Sequence, residues 1–176
     1  MDKNREHETA LKGKVALVTG AGRGIGRAVS LAIARAGARV VLAARSAEQL
    51  EAVERDIGAA GGRALAVACD ISREEDIVAL FARVRTELGR LDILVNNAGV
   101  GSFGPIADFP VAELDRILAT NLRGTFLCSR EALRIMKPQR SGYIVNMASV
   151  VGFKGYPNQA AYTATAPLAL SCLAAC

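Results

Sequence analysis

The sequence predicts an α/β fold in which a doubly wound parallel sheet of about five strands is covered by helices on both faces. Short apolar runs alternate along the chain with segments whose apolar residues recur at helical spacing. The short runs are apolar throughout, as parallel strands buried on both faces are. Glycines follow most of the helical segments, where helices commonly end. Repeated strand–helix–strand order favours this fold class over an all-α or all-β fold.

Each predicted element takes its bounds from this pattern. The predicted strands are Val15–Thr19, Arg39–Ala44, Ala64–Cys69, Leu91–Asn96 and Tyr143–Met147. The helices between them are marked by apolar residues three or four apart: Ile25, Val29 and Ile33, then Leu50, Val53 and Ile57, then Ile77, Leu80, Phe81, Val84 and Leu88. A fourth, long helix is predicted to start near Leu114 and to run toward Met136.

Length and composition fit one domain. The 176 residues include no Trp and carry a net charge of +5. Residues 1–12 are mostly charged and contain no apolar core of a secretory signal, so we predict a flexible tail there and one domain at 13–176. The basic residues form no stripe or long block, which argues against nucleic acid as a partner. The uncharged stretch 159–176 is too short for a confident membrane span.

Cysteine and histidine usage points to a reducing compartment and away from a metal site. The four cysteines form no CxxC pair, and the single His7 lies in the polar tail. We therefore predict a cytoplasmic protein without a bound metal.

A glycine-rich turn follows the first predicted strand and opens the first predicted helix. It reads Thr19-Gly20-Ala21-Gly22-Arg23-Gly24-Ile25-Gly26. In this position glycines allow a tight turn and a close approach of a pyrophosphate to the helix N-terminus. We interpret Gly20, Arg23, Gly24, Ile25 and Gly26 as cofactor-binding, which makes the fold a Rossmann fold. The alternative is an ordinary glycine-rich βα turn.

The end of the second strand predicts which dinucleotide is bound. NAD-binding folds place an acid there for the ribose hydroxyl. Here Ala44 occupies that position, Arg45 follows it, and Arg23 adds a second guanidinium at the turn. Because arginine pairs bidentately with phosphate, the pair favours NADP(H) over NAD(H). The alternative is that both are solvated surface arginines.

Together these motifs resemble the short-chain dehydrogenase/reductase family, from about Leu11 to Leu168, and are similar to its 3-oxoacyl-carrier-protein reductases. The glycine motif, the strand-end Asp70 after Cys69, and Asn96-Asn97-Ala98-Gly99 carry the resemblance. It implies that Asp70 lies near the adenine and that Asn97, Ala98 and Gly99 support the sheet and the cofactor. It also implies hydride transfer between a nicotinamide and a small carbonyl or secondary alcohol substrate.

The resemblance further implies a catalytic set of Asn, Ser, Tyr and Lys. Asn121, Ser149 and Tyr162 match the first three, but Ala166 stands where the family has lysine. The pKa of a phenol is about 10, and a nearby ammonium group lowers it. The absence of the lysine ammonium at position 166 therefore predicts weak or absent turnover. Lys154 is an alternative ammonium donor, although it is more simply interpreted as a solvated loop lysine.

Family members usually continue beyond the tyrosine helix, so the resemblance predicts a fold that is incomplete at its C-terminus. The apolar run 160–176 would then need a homo-oligomeric or other partner to cover it. Three hypotheses stay open: an active NADP(H)-dependent oxidoreductase, a catalytically impaired NADP(H)-binding fragment, and an inert unstable product. Phe103, Val150, Val151 and Phe153 are predicted to make an apolar substrate pocket.

Overall fold

The computed structural model describes residues 10–166, and these contain one five-stranded sheet of order β3-β2-β1-β4-β5. All four neighbouring strand pairs are parallel. The strands are β1 (Val15–Thr19), β2 (Arg39–Ala44), β3 (Arg63–Ala68), β4 (Ile93–Asn96) and β5 (Tyr143–Asn146). The predicted doubly wound parallel sheet is confirmed.

Helices cover both faces of the sheet. They are α1 (Gly24–Arg35), α2 (Ala47–Ala59), α3 (Glu74–Leu88), α4 (Val111–Ile117), α5 (Thr125–Gln139) and α6 (Ala160–Thr163). Helices α3 and α5 pack on one face with Val41 and Ala43 of β2, whereas α1 and α2 pack on the other with Val40 and Leu42. Successive strand residues therefore enter different cores, which explains why the strands read as continuous apolar runs.

The predicted bounds of β1 and β2 are those observed, and the other strands shift by one or two residues. Strand β4 starts at Ile93, one residue after the buried Asp92. Asp92 bonds to the start of β1 with both its backbone and its side chain: its N–H donates to the Val15 carbonyl at 2.8 Å, and its Oδ2 accepts from the Val15 N–H at 2.9 Å. Burial raises the pKa of Asp92, but hydrogen bonds from Arg90 and Val15, with the charges of Arg90 and Lys14, hold that pKa below its usual value.

The long helix predicted from Leu114 toward Met136 is not one regular α-helix. Between α4 and α5 the backbone forms a π-helical segment, Leu118–Gly124, which contains Asn121. A π-helical turn adds a residue to the helical repeat and so turns the side chains that follow it around the axis. Apolar residues recur three or four positions apart both before and after this segment. The spacing of apolar residues therefore did not predict it.

The two ends of the chain bear on the remaining predictions. Residues 10–13 form a turn in which the Leu11 N–H donates to the Ala36 carbonyl at 2.8 Å, so this part of the predicted tail contacts the end of α1. Residues 1–9 and 167–176 lie outside the described residues, and with them most of the predicted apolar C-terminal helix. Within residues 10–166, no helix has the length and apolar character needed to cross a membrane.

Candidate active site at the carboxyl ends of the strands

The glycine-rich turn joins β1 to α1 at a point where the backbone is closely packed. Gly20 has a φ of +67°, and a Cβ there would lie 2.8 Å from the Asn97 Nδ2 atom. A Cβ on Gly26 would collide with the Gly20 carbonyl oxygen. No side chain caps the start of α1, and its first turn contains no acidic residue. Its positive end is therefore available to an anion.

A set of hydrogen bonds fixes this turn to the end of β4. The Thr19 hydroxyl is buried and accepts from the backbone N–H groups of Asn97 at 3.0 Å and Ala98 at 3.1 Å. In return, the Asn97 side-chain amide donates to the Thr19 carbonyl at 2.9 Å. The turn and the Asn97-Ala98-Gly99 segment are thus held as one unit.

All ten predicted cofactor-binding residues line one cavity of about 770 Å³ at this end of the sheet. Arg23 and Arg45 are exposed at the cavity, and neither forms an ion pair with any residue between 10 and 166. Ala44, the last residue of β2, supplies no carboxylate. The cavity wall near the end of β2 is therefore positively charged.

Asp70 also lines this cavity, and its carboxylate has a local partner. One oxygen, Oδ1, accepts from the Ser72 backbone N–H at 3.0 Å and from the Ser72 hydroxyl at 2.8 Å. The backbone N–H of Asp70 in turn donates to Asp76 of α3 at 3.0 Å. These hydrogen bonds fix the conformation of the loop between β3 and α3.

The three predicted catalytic residues lie together on a second, smaller cavity of about 160 Å³. Asn121, Ser149 and Tyr162 all line it, although 41 residues separate the first from the last. Ile25, Asn97, Ala98 and Gly99 line both cavities, so the two adjoin. A molecule bound along the larger cavity can therefore reach the hydroxyl groups of Ser149 and Tyr162.

Asn121 is held by three hydrogen bonds of its side chain. Its Oδ1 accepts from the Val100 N–H at 2.9 Å, and its Nδ2 donates to the Val100 carbonyl at 2.9 Å and to the Thr165 hydroxyl at 3.2 Å. The π-helical segment turns the side chain toward the loop after β4, and Thr165 connects it to the turn after Tyr162. The Asn121 side chain thus holds the loop after β4 and the turn after Tyr162 in position.

Tyr162 and Ser149 are both half-buried beside the smaller cavity. The Tyr162 ring packs edge-on against Phe103, with ring centroids 6.2 Å apart. The Ser149 Oγ accepts from the Val151 N–H at 3.5 Å, a long contact that leaves the hydroxyl able to donate elsewhere. Phe103, Val150 and Phe153 are exposed and Val151 is buried. None of these four residues, predicted to make an apolar substrate pocket, lines the smaller cavity.

The position where the resemblance requires lysine is occupied by the buried methyl group of Ala166. No residue that lines the smaller cavity carries a positive charge. The Lys154 ammonium lies over the Tyr156 ring, 5.9 Å from its centroid. Lys154 does not line the cavity, so the structure gives no support to the alternative in which it replaces the missing lysine.

The sequence analysis missed several polar residues that hold the site. These are Thr19, Asn96, Ser129, Asn146 and Thr165. The Asn96 side-chain amide donates to Ser129 at 3.0 Å and to Asn146 at 2.9 Å, which links β4, α5 and β5. Asn96 ends a predicted apolar strand and opens the motif Asn96-Asn97-Ala98-Gly99, and Asn146 is the last residue but one of the predicted strand Tyr143–Met147. A sequence signal was therefore available for both. No local pattern marks Ser129 or Thr165.

The cysteines of the described part of the chain are unsuited to nucleophilic chemistry. Burial, followed by the charges of Asp76 and Asp70, raises the pKa of Cys69 to about 12, and burial likewise raises the pKa of Cys128. Both thiols are therefore neutral at physiological pH. Residues 10–166 contain no group of three or more His, Cys, Asp or Glu side chains arranged to hold a metal ion.

Comparison with known proteins identifies the family. The short chain dehydrogenase family model matches residues 14–167, which include both cavities. This chain belongs to the short-chain dehydrogenase family. The family resemblance predicted from the motifs is thereby confirmed.

Relatives within the family have different activities. The chain is 40% identical over 157 residues to 3-oxoacyl-[acyl-carrier-protein] reductase from Synechocystis, covering 89% of the chain and 64% of that protein. It is 40% identical over 153 residues to 3beta-hydroxysteroid dehydrogenase from Mediterraneibacter gnavus, covering 86% of the chain and 55% of that protein. The chain thus spans less than two thirds of the length of these curated relatives.

Solved structures of the family superpose closely on this one. A metagenomic short-chain oxidoreductase in complex with NADP has a TM-score of 0.87 at 46% identity, over 89% of this chain and 72% of that one. An NAD⁺-bound xylitol dehydrogenase has a TM-score of 0.86 at 39% identity, over 89% and 61% respectively. One fold therefore carries either dinucleotide, and the difference must come from particular side chains.

Proposed function

We propose that this chain binds NADP(H), in preference to NAD(H), in the larger cavity at the carboxyl ends of the strands. The observation that carries the proposal is the pair of unpaired guanidinium groups, Arg23 and Arg45, beside an Ala44 that supplies no acid. A 2′-phosphate pairs well with guanidinium groups. A ribose 2′-hydroxyl would lack the carboxylate that accepts from it in NAD-binding folds.

The shape of the larger cavity fits a dinucleotide. Gly20 and Gly26 pack directly against Asn97 and against the turn itself, where no side chain fits. This packing holds the turn in a tight shape that lets a pyrophosphate approach its backbone. The uncapped start of α1 offers N–H groups and a partial positive charge to it. Asp70 and Asn97-Ala98-Gly99 also line the cavity, in accord with the roles near the adenine and in support of the cofactor that the family resemblance implies.

In the smaller cavity, Tyr162 and Ser149 serve hydride transfer to or from a carbonyl or secondary alcohol. When bound, the nicotinamide supplies or accepts the hydride. Negative charge develops on the substrate oxygen during reduction, and the Tyr162 hydroxyl donates a proton to that oxygen. The Ser149 hydroxyl donates a hydrogen bond to the same oxygen and orients it. Asn121, fixed by Val100 and Thr165, holds the wall of the site.

A second candidate function, a catalytically impaired NADP(H)-binding fragment, is favoured by Ala166. A phenol is a poor acid or base near neutral pH unless a positive charge stabilises its ionised form. The smaller cavity has no such charge among the described residues. On this basis the chain retains the means to bind the cofactor, while its turnover is low.

Titration with NADPH and with NADH, followed by nicotinamide fluorescence, tests cofactor binding. We expect NADPH to bind more tightly, and Arg45→Gln to weaken NADPH binding by about tenfold to a hundredfold with little effect on NADH. Arg55→Gln is the matched control, because Arg55 is an exposed arginine of α2 that does not line the cavity. Equal affinity of the wild-type chain for NADPH and NADH would contradict the proposed preference.

Turnover is tested separately with an Ala166→Lys variant and a panel of small ketones. If Ala166 is the cause of low turnover, the variant gains NADPH-dependent reduction, and adding Tyr162→Phe removes the gain. If Ala166→Lys binds NADPH but reduces no ketone, the second candidate function holds for this chain.

A further inference from the structure

The described residues contain another large cavity, at the opposite end of the sheet from the cofactor site. It measures about 890 Å³ and lies where the strands begin. Six positively charged side chains line it, and no acidic side chain does: Lys12, Lys14, Arg35, Arg39, Arg63 and Arg90. These residues are dispersed along the sequence, so no basic stripe is visible there. We call this surface the basal groove.

Two of the six charges are already neutralised. Arg90 binds the buried carboxylate of Asp92 through both oxygens, at 2.6 and 2.9 Å, and the Lys14 ammonium lies 3.7 Å from the same carboxylate. Lys12, Arg35, Arg39 and Arg63 form no ion pair with any residue from 10 to 166. Four unpaired cations thus share one groove.

Two of these cations are forced close together by the register of the sheet. Arg39 of β2 and Arg63 of β3 are directly paired. Neighbouring strands lie about 4.8 Å apart, and paired residues project from the same face. Like charges opposite each other repel. In addition, the Arg39 Nε atom is buried without a hydrogen-bond partner among the described residues.

Helix ends do not account for this much positive charge. The groove is lined by residues at the ends of α1, α2 and α3, whose terminal carbonyl groups favour cations. Each helix end is equivalent to about half a negative charge, so three ends offset less than half of the four unpaired charges. An anion in the groove would relieve the remaining repulsion.

We propose that the basal groove binds a linear oligophosphate, such as a triphosphate group. The unpaired cations follow one another across the starts of three neighbouring strands, from Lys12 before β1 to Arg39 of β2 and Arg63 of β3. A row of charges at strand spacing suits a chain of phosphates better than a single phosphate. Arginine binds phosphate oxygens bidentately, which adds geometric specificity.

The test is isothermal titration calorimetry of the full chain with inorganic tripolyphosphate. It is done at low ionic strength, where exposed charges are least screened. The groove variant is Arg35→Gln/Arg63→Gln, in which both arginines are exposed. The matched control, Arg23→Gln/Arg45→Gln, removes the same number of charges from the cofactor cavity. We expect the groove variant to weaken tripolyphosphate binding by about tenfold or more, while the control retains one tripolyphosphate site.

Further titrations identify which kind of oligophosphate binds in the groove. ATP in place of tripolyphosphate tells a nucleoside triphosphate from a free oligophosphate, and either supports the proposal if the groove variant weakens it. NADPH binding should be unchanged in the groove variant. Should Arg35→Gln/Arg63→Gln fail to fold, as judged by circular dichroism, Lys12→Gln/Arg63→Gln replaces it.

Three results would overturn the proposal. One is the absence of tripolyphosphate and ATP binding by the control variant. Another is preferential binding of a short DNA duplex by the groove. The third concerns Glu6 and Glu8, which precede the described residues: if Glu6→Gln/Glu8→Gln tightens tripolyphosphate binding at least about tenfold, these side chains are the groove's own anions.

Discussion

A single hydroxyl, that of Thr19, connects the two segments that form the cofactor cavity. It accepts the N–H groups of Asn97 and Ala98 and lies 3.4 Å from the Val95 carbonyl, to which it donates. Since Thr19 is fully buried, removing its hydroxyl leaves these part-buried N–H groups without their acceptor. Valine has the shape of threonine but no hydroxyl, and serine has the hydroxyl but a smaller side chain. Substitutions can therefore separate the packing of Thr19 from its hydrogen bonding.

Thr19→Val should therefore destabilise the protein and weaken its binding of NADPH. Leaving buried N–H groups without an acceptor costs about 1–3 kcal/mol each. Urea denaturation measures the loss of stability, and NADPH titration measures the loss of binding. Thr19→Ser keeps the hydroxyl and should retain most of the binding. Equal behaviour of the valine and serine variants would show that the hydroxyl does not organise the site.

Residues of the site could be predicted from the sequence where a motif marks them, and not where only the fold brings them together. The glycine turn, the Asn97 segment, Ser149 and Tyr162 stand in recognisable motifs, and the structure places them on two adjoining cavities. Thr165 meets Asn121 across 44 residues of sequence, and Asn96 meets Asn146 across 50. Contacts of this kind depend on the folded chain, so no local pattern announces them.

At the scale of whole elements, the π-helical segment is placed by close packing at its end. Gly124 is buried, and a Cβ there would lie 2.6 Å from the Ile71 carbonyl oxygen and 3.1 Å from the Ile71 Cδ1 atom. The loop after β3 thus contacts the helix backbone itself. Gly124 fixes how near the π-helical segment, and with it Asn121, lies to the cofactor cavity.

Gly124→Ala should destabilise the fold, although alanine is the better helix former. The added methyl group would force the Ile71 backbone to move, and overpacking of this kind costs about 1–3 kcal/mol. Gly58→Ala is the matched control: Gly58 also lies in a helix, with nothing within 4 Å of an added Cβ. Alanine there should stabilise the protein by about 0.5–1 kcal/mol.

Thermal and urea unfolding of both variants measure the two effects, which have opposite signs. Similar changes in stability would show that helix propensity, and not the contact with Ile71, decides the outcome at Gly124.

Strands and helices were predicted well where burial alone sets the pattern. The bounds of β1 and β2 are reproduced because both strands are buried on both faces. The predicted start of β4 is wrong because Leu91 is fully buried although it lies before the strand, so burial does not mark where β4 begins. The π-helical segment was missed because the helices before and after it each keep an apolar stripe. One extra residue between two such stripes does not stand out in the sequence.

At the scale of the whole sheet, β5 ends the strand order and has an apolar surface that no other part of residues 10–166 covers. Ile144 points into the core beneath α5, whereas Tyr143 and Val145 lie on the opposite face and are exposed. Helices α1 and α2 cover that face only over the other strands. Contiguous apolar surface of this kind favours association. The prediction of a homo-oligomer or a covering partner can be tested at this face.

We expect the protein to self-associate as its concentration rises, and Val145→Lys to oppose this. A charge placed on an associating apolar face must lose its water when the face is buried, so the midpoint concentration should rise by about tenfold or more. Val78→Lys is the control, because Val78 of α3 is 44% exposed and Val145 is 43% exposed. The two variants add the same charge to surfaces of equal exposure. Sedimentation velocity across a concentration series separates them: association weakened equally by both would reflect net charge, and association unchanged in Val145→Lys would show that this face stays free in solution.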